Sequence, residues 1–560
     1  MAGPNLRQRI SHGFVSRQAL AESKVIASRE GQEKNAIKSA STSRAFLPLA
    51  AKAAAVKLVD DNVSGTKGQG FFDFMFPKLK ASALKATDAD LLALAKAMKD
   101  TAPPTDNNET IPAGFTYLGQ FVDHDITLDL TPLSDAQNDP EMTKNFRTPG
   151  LDLDCVYGAG PGPFRFLFAR EQDANGNTVD SPKLLIGTAE ASPGLNGETI
   201  PELPNDLPRN MQGVALIGDH RNDENLLVAQ IHLAFLKFHN AVIDHLASKN
   251  VPKDQLFAEA SKMVRWHYQW IVLHDWVERL VEPGLIKKTL KNGRKFYRFK
   301  TKPFMPWEFS GAAYRLGHSM VRQGYNHNRL FRFPQPRIAP GTFNFFFQFT
   351  NLSGGLSSGI PGQGTFPSNW VIDWRRYFEL PAPPAIKAEF NHSRKLDPFL
   401  ADELHKLPGA DPNSPEASLA FRNLKRGVRI GLPSGQAIAR AMLKEDTFSP
   451  LTLAEIQSGP DGAEAKRLGF DKATPLWYYI LKEAQVRGQS KKLGPVGSRI
   501  VAEVFIGLLQ GDEGSFLGQK NWKPTLPAAE AGTFKMTDML TFVAKAQGGN
   551  VEKEFNPVGD

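Results

Sequence analysis

The sequence predicts a mainly α-helical protein: one large body with long loops and few short strands. Three observations predict it. Apolar residues recur with the helical period over several long segments. Strand-like alternation is rare and short. The 40 prolines and 47 glycines are spread through polar loops such as 131–205 and 334–370. The 560 residues would allow several domains at roughly 100–200 residues each, yet no linker or fixed-period repeat marks a boundary beyond residue 80. The expected organisation is a basic, Ala/Ser-rich arm over 1–70, one body over 71–545 and a tail over 546–560.

Composition narrows the class. The chain is 41% hydrophobic and 22% charged, with a mean hydropathy of −0.33. These values exclude wholesale disorder and a polytopic membrane protein. The single cysteine, Cys155, excludes an intrachain disulfide and a Cys-rich metal site. Histidines and carboxylates must therefore hold any metal or cofactor. The N-terminus is basic but lacks the apolar core of a secretory signal, and no stretch of about 18 uncharged apolar residues occurs. The expected location is the cytoplasm, or outside the cell by a leaderless route.

Within the arm, residues 45–59 fit one short amphipathic helix. Residues 87–100 carry Leu91, Leu92, Leu94 and Met98 behind a Thr/Asp start that suits an N-cap. Residues 222–248 place Leu226, Leu227, Ile231, Phe235, Phe238, Val242 and Leu246 on one face. Residues 254–281 repeat the pattern with Leu256, Ala260, Met263, Trp270, Leu273 and Val277. Further helices fit 311–322, 416–425, 474–487 and 497–510. The stretch from Lys287 to Lys302 packs eight Lys/Arg with interleaved Phe296, Tyr297 and Phe299. Its alternation and its KNGRK turn predict a hairpin with a cationic face in preference to a nucleic-acid contact.

Five segments concentrate residues that carry chemistry. In GQFVDHDITLDL, residues 119–130, Gln120 lies one turn before His124 and shares its helical face. Asp123 and Asp125 then address two other directions, at about 100° per residue. The segment also reads as a surface helix with a solvated DHD run. In TPGLDLDCVYG, residues 148–158, Thr148, Gly150, Asp152 and Asp154 alternate, so an extended loop puts their oxygens on one side. Hard oxygen ligands of this kind suit calcium, and Asp125 can close the cage; a plain polar turn fits as well. Arg221 and Glu224 sit three apart at a helix start, where capping and ion pairing are the alternative. His318 lies on an apolar helix one turn beyond Arg315, and Asn423 precedes Arg426 by three.

Taken in order, these segments resemble the animal-type haem peroxidase family (the peroxidase–cyclooxygenase superfamily), specifically its bacterial members. The resemblance runs from about Gly114 to about Leu509. It rests on the QxxDHD helix, the loop ending in VYG, RxxE followed by IH and FHN, RxGH, NxxRG with GLP, and LGPVGSRIVAEVFIGLL. It implies that 71–545 form a catalytic domain of the animal haem peroxidase fold, with haem held between a distal and a proximal helix.

The resemblance also implies roles. His318 ligates the haem iron and its other ring nitrogen donates to Asn423. Arg315 and Arg426 pair with the haem propionates. On the distal side, His124 is the acid–base for hydrogen peroxide and Arg221 stabilises developing charge. Gln120 borders the halide position. Asp123 and Glu224 match the carboxylates ester-linked to a haem b-derived cofactor. Asn225 stands where one branch carries a methionine, so no third link forms. Asp125, Thr148, Gly150, Asp152 and Asp154 match one calcium site.

The implied activity is peroxide-dependent formation of a ferryl species. That species oxidises halides (bromide, iodide), thiocyanate and aromatic donors. Two alternatives are a fatty-acid dioxygenase of the same superfamily and a non-enzymatic basic binding or adhesion protein on this scaffold. The dioxygenase branch carries a tyrosine three residues before its proximal histidine. That position here is Arg315, with Tyr314 one residue off. The surplus of 67 Lys/Arg over 59 Asp/Glu, a net +8, reads as a surface that draws small anions.

Overall fold

The computed structural model describes residues 70–101, 107–128, 144–145, 147–173, 175–333, 340–347, 350, 366–407, 410–548 and 550–560. The expected basic arm up to residue 69, with its short helix over 45–59, lies outside the described residues.

The helices that build and brace the site follow in chain order. They are α1 (Asp88–Ala97), α2 (Gly114–Ile126), α3 (Leu226–Ser248), α4 (Lys253–Ile271) and α5 (Leu285–Asn292). After them come α6 (Gly317–Met320), α7 (Leu419–Arg429), α8 (Leu476–Val486), α9 (Pro495–Gln510) and α10 (Met536–Ala546). Strands among the described residues are short and form small sheets of two or three. Gly70–Asp73 lies between Met305–Pro306, which is parallel to it, and antiparallel Lys144–Asn145. Asn107–Pro112 pairs with His392–Arg394. The mainly α expectation holds.

Local sequence explains most boundaries. Thr87 caps α1 through a reciprocal box with Asp90, and Asn225 caps α3 by accepting the Val228 N–H. α3 is long and apolar enough to cross a membrane, which the sequence reading did not anticipate. However, 94% of its most apolar window is buried inside the protein. Its polar members Gln230, His232 and His239 are buried with it, so it is the central core helix.

α2 packs on α3 and α4 through aromatic faces. Phe121 stacks on Phe235 with centroids 4.7 Å apart, and Tyr268 meets both rings edge-on. Gly119 is required at this contact: a Cβ there would lie 2.7 Å from the Trp276 ring. Trp276 reaches that position because the expected helix over 254–281 widens to a π-helical turn at Val272–Val277.

Two expectations are corrected. The helix expected over 311–322 is a 3-10 turn, Ala313–Leu316, followed by the single turn of α6. Its end is fixed from outside: Ser319 Oγ lies 2.9 and 2.8 Å from the carbonyls of Lys395 and Asp397 and accepts the Asp397 N–H. No hairpin forms over 287–302. Residues 285–292 are α5, and Glu503 of α9 accepts the backbone N–H groups of Lys295, Phe296 and Tyr297. A buried carboxylate thus takes the place of a partner strand.

Candidate functional site

A small cavity of about 50 Å³ lies between α2 and α6. Tyr117, Gln120, Glu224 and Asn225 line it on one side and His318 and Val321 on the other, with Phe343, Phe346, Phe347 and Leu419 among its apolar walls. The cavity therefore brings together three residues singled out in the sequence: Gln120, Glu224 and His318.

On the α6 side, His318 is buried, and Asn423 Nδ2–H donates to its Nδ1 at 2.7 Å. The pairing expected from the sequence is present, with its direction reversed. A metal at Nε2 would put the ring proton on Nδ1, and the amide would then turn its oxygen to accept it. Arg426 is buried one turn beyond Asn423 on α7. Arg315 is half-buried and donates from Nε to the Ser310 carbonyl at 2.9 Å. Neither arginine is among the residues that line the cavity. The neighbour of Asn423, Arg422, received no role from the sequence, yet its charge is felt by Glu224.

On the α2 side, Asn225 explains the placement of Gln120. Asn225 Nδ2–H donates to Gln120 Oε1 at 3.0 Å, and Gln120 Nε2–H donates to Glu224 Oε2 at 3.1 Å. The helix cap thus also clamps an amide over the cavity. Burial pushes the Glu224 carboxyl up to about 8, against the lowering pull of Arg221 and Gln120. Asp123, one residue before His124, accepts from Thr127 Oγ1 through its carbonyl at 2.8 Å and through Oδ1 at 3.3 Å.

His124 is fully buried. Its Nδ1–H donates to Asn222 Oδ1 at 2.8 Å, which leaves the lone pair of the neutral ring on Nε2, the tautomer of a general base. Asn222 Nδ2–H in turn donates to His232 Nδ1 at 2.9 Å. Burial lowers the His232 pKa to about 3 and keeps it neutral. No single-segment pattern marks Asn222; its role arises because α2 and α3 present two imidazoles to it.

Arg221 is held firmly. Nε and Nη2 bind Asp219, and Nη2 also donates to the carbonyls of His124 at 2.9 Å and Thr127 at 2.6 Å. Burial works to raise the Asp219 carboxyl, but Arg221 and Arg147 hold it well below the carboxylate range.

Next to this cluster stands Asp125. Its Oδ2 accepts from Leu153 N and Tyr268 Oη, while its buried Oδ1 has no hydrogen-bond partner. Burial and the charge of Asp154 raise its pKa to about 6. Asp152 is buried and Thr148 half-buried. Gly150 donates its N–H to the Thr148 carbonyl at 2.7 Å. The expected strict alternation breaks at Leu153, a left-handed residue with φ 60°, after which Asp154 opens a helical turn. Among the described residues no three His, Cys, Asp or Glu side chains converge as a ready cage, so hydroxyl and carbonyl oxygens would have to complete one. Cys155 is a buried free thiol whose proton burial retains, in keeping with a packing role.

Comparison with known proteins points to one family. Residues 132–348 match the family model described as animal haem peroxidase. That span holds Arg221, Glu224 and His318 but neither α2 nor Asn423. A peroxidase-like protein of Margaritifera margaritifera is 25% identical over 373 residues, covering 57% of this chain and 44% of that protein. Human thyroid peroxidase is 26% identical over 318 residues, 52% of this chain and 30% of its own length. The chain therefore spans less than half of these relatives. Among solved structures, peroxidase A of Dictyostelium discoideum superposes with a TM-score of 0.53 at 15% identity, over 88% of this chain and 94% of that one. Fatty acid alpha-dioxygenase of Oryza sativa gives 0.51 at 16% identity, over 80% and 76%. At such identities the likeness is one of fold.

The Glu224 shift has a testable sign. The folded pKa lies above the ordinary carboxyl value, so the folded chain binds the extra proton. Stability is then full below about pH 4.5 and is lost as pH rises through about 8. Relative to wild type, the Glu224→Gln apoprotein should gain ~1–3 kcal/mol at pH 9 and little at pH 4.5. Thermal melts across that range check it, and parallel profiles would contradict the assignment.

Proposed function

We propose, from the chain's likeness to the animal-type haem peroxidase family, that it belongs to that family and reduces hydrogen peroxide with a haem held between α2 and α6. The electrons come from aromatic donors and from small anions, namely bromide, iodide and thiocyanate. The observation that carries this reading is the cavity with His318, backed by Asn423, on one side and Gln120 and Glu224 on the other. The residues fit the group: a buried neutral imidazole faces apolar walls, and a buried carboxyl is poised at the rim of the space. Bound haem would supply the two-electron redox chemistry of peroxide cleavage.

The chain's own residues do the rest. His318 Nε2 is the ligand atom, and Asn423 orients the ring through Nδ1. His124, locked by Asn222 with its lone pair on Nε2, takes a proton from peroxide and returns it to the departing oxygen. Arg221, fixed by Asp219, places a permanent positive charge beside His124 for the negative charge that develops. Gln120, clamped by Asn225 and Glu224, offers its amide to water or an anion. Asp123 and Glu224 supply ester bonds to the cofactor. An ester at Glu224 would also remove a buried group that otherwise destabilises the fold when ionised. Arg315 and Arg426 would serve the propionates.

The second part of the reading is a calcium ion at Asp125. The partnerless Oδ1 and the repulsion from Asp154 favour a cation there. Asp152, Thr148 and the carbonyls of Thr148 and Gly150 would supply further oxygens. A fatty-acid dioxygenase has no comparable support. Tyr314 is not among the residues lining the cavity, and its hydroxyl is engaged by Trp276 Nε1–H at 2.9 Å.

Stopped-flow mixing of the haem-loaded protein with peroxide, then with bromide, iodide, thiocyanate or a phenol, tests the activity and ranks the donors. His124→Ala should keep the Soret band and slow peroxide cleavage by ~10²–10⁴-fold. An unchanged rate would refute the role of His124.

The ester links predict that haem stays with the polypeptide on acid–acetone extraction of wild type. It should pass into the organic layer from the Asp123→Asn/Glu224→Gln double variant. Haem extractable from wild type would show that no ester forms.

For calcium, a chelator should lower the melting temperature of the wild-type protein and leave Asp125→Asn unmoved. Equal shifts in both would place the ion elsewhere or nowhere.

A further inference from the structure

Tyr117 lines the cavity one helical turn before Gln120, and its hydroxyl leads away from it. Tyr117 Oη–H donates to Tyr325 Oη at 3.0 Å, and the two rings meet edge-on with centroids 6.0 Å apart. Tyr325 contacts Tyr377 at 5.8 Å between centroids. Tyr377 ends the row on a histidine: its Oη lies 3.0 Å from His327 Nδ1. His327 Nε2 lies 2.8 Å from the Trp370 carbonyl, which can only accept. The imidazole proton is thus on Nε2, so Nδ1 is the acceptor and Tyr377 the donor. Tyr117, Tyr325, Tyr377 and His327 are all buried, Tyr325 and His327 completely. None has a part in the peroxide chemistry above.

We infer that these three tyrosines form a one-electron relay out of the cavity, and that Tyr377, with His327 as its base, stores an oxidising equivalent as a tyrosyl radical. The inference rests on the peroxidase reading, because hydrogen peroxide is the oxidant.

The arrangement dictates where the radical comes to rest. A phenol that loses an electron becomes a strong acid, so the hole settles where a base can take the proton. The acceptor for Tyr117 is another phenol. The Tyr325 oxygen is itself an acceptor, from Tyr117 and from the Arg322 N–H at 3.0 Å. Tyr377 alone of the three donates to an imidazole nitrogen. Burial lowers the His327 pKa to about 4, with the Trp370 carbonyl opposing and Arg376 reinforcing. The ring is therefore neutral and ready to accept before oxidation.

Reduction of one peroxide to water leaves two oxidising equivalents in the cavity. One is filled by an electron from Tyr377, passed through Tyr325 and Tyr117, each of which gives and regains one electron and ends unchanged. The Tyr377 O–H bond breaks and its proton moves to His327 Nδ1. A neutral radical then stands beside an imidazolium that still donates to Trp370. One electron from a phenolic donor, with return of the proton from His327, restores the phenol.

Freeze-quench electron paramagnetic resonance of the haem-loaded protein after peroxide addition tests this. Wild type should show a tyrosyl signal whose hyperfine structure collapses when the protein contains ring-deuterated tyrosine. Tyr377→Phe should lose that signal while peroxide is still consumed. His327→Gln keeps the tyrosine but removes the base, and should also lose it, so the inference stays testable if one variant folds poorly. Peroxide consumption with no tyrosyl signal in wild type, or an unaltered signal in either folded variant, overturns the relay and leaves the peroxidase reading standing. No Soret band and no peroxide consumption overturns both.

Discussion

The α2 half of the site depends on one buried carboxylate, Asp219. It accepts from Arg221 and from Arg147, whose Nη2 also donates to the Gly218 carbonyl at 3.2 Å. Arg221 then ties down the carbonyls of His124 and Thr127 at the end of α2, groups that a helix terminus otherwise leaves exposed. Three chain segments converge on this ion: the end of α2, the loop of residues 147–155 and the turn before α3. Gly218 shows how close they come, since a Cβ there would lie 2.5 Å from the Asp154 carbonyl. Buried ion pairs are weak sources of net stability, but loss of one partner strands the others at a cost of about 3–5 kcal/mol. Asp219 therefore fixes geometry more than it adds stability, and the geometry it fixes is that of His124 against Arg221.

Around that charge the site is built from neutral groups, which matters for proton traffic. Asn222 sets the tautomer of His124, and His232, kept neutral by burial, sets the direction of Asn222. Gln120 is held by Asn225 and Glu224. An amide clamp cannot take the proton that His124 would carry in the proposed reaction, whereas a carboxylate at Asn222 would hold it as an ion pair. On the opposite side the amide of Asn423 backs His318 in the same way. Amides thus orient both key imidazoles without competing for their protons.

How much of this was legible in the sequence divides by the range of the interaction. The N-cap at Thr87 is local and stands as read, whereas Gln120 lines the cavity and His124, one turn on, is buried behind its wall. The pairing of His318 with Asn423 was available only through likeness to a family, because 105 residues separate them. The parts not foreseen come from contacts between distant segments. Asn222 drew no reading from the sequence and Asn225 only its place opposite a methionine of one branch, and only the approach of α2 brings them against His124 and Gln120. The alternation from Thr148 to Asp154 presumed an extended chain, which the left-handed Leu153 interrupts so that its N–H can reach Asp125.

The misread basic stretch changes how the net charge should be understood. Of its eight cations, Lys288 and Lys295 reach Asp446, Arg298 pairs with Glu445, and Arg294 lies over the Phe299 ring while donating to Gln510. These charges are answered by acidic and polar partners on neighbouring segments, and Glu503 anchors the backbone between them. Paired charges project little field beyond a Debye length of about 8–10 Å. The middle of the stretch is therefore a docking seam onto α9 and its neighbours, while Lys287, Lys291, Lys300 and Lys302 remain exposed. Under the function proposed above, selectivity for small anions would then be set at the cavity. Two candidates stand out: the clamped amide of Gln120 in the cavity wall and, behind that wall, the positive charge of Arg221, which Asp219 only partly offsets because Arg147 shares the same carboxylate.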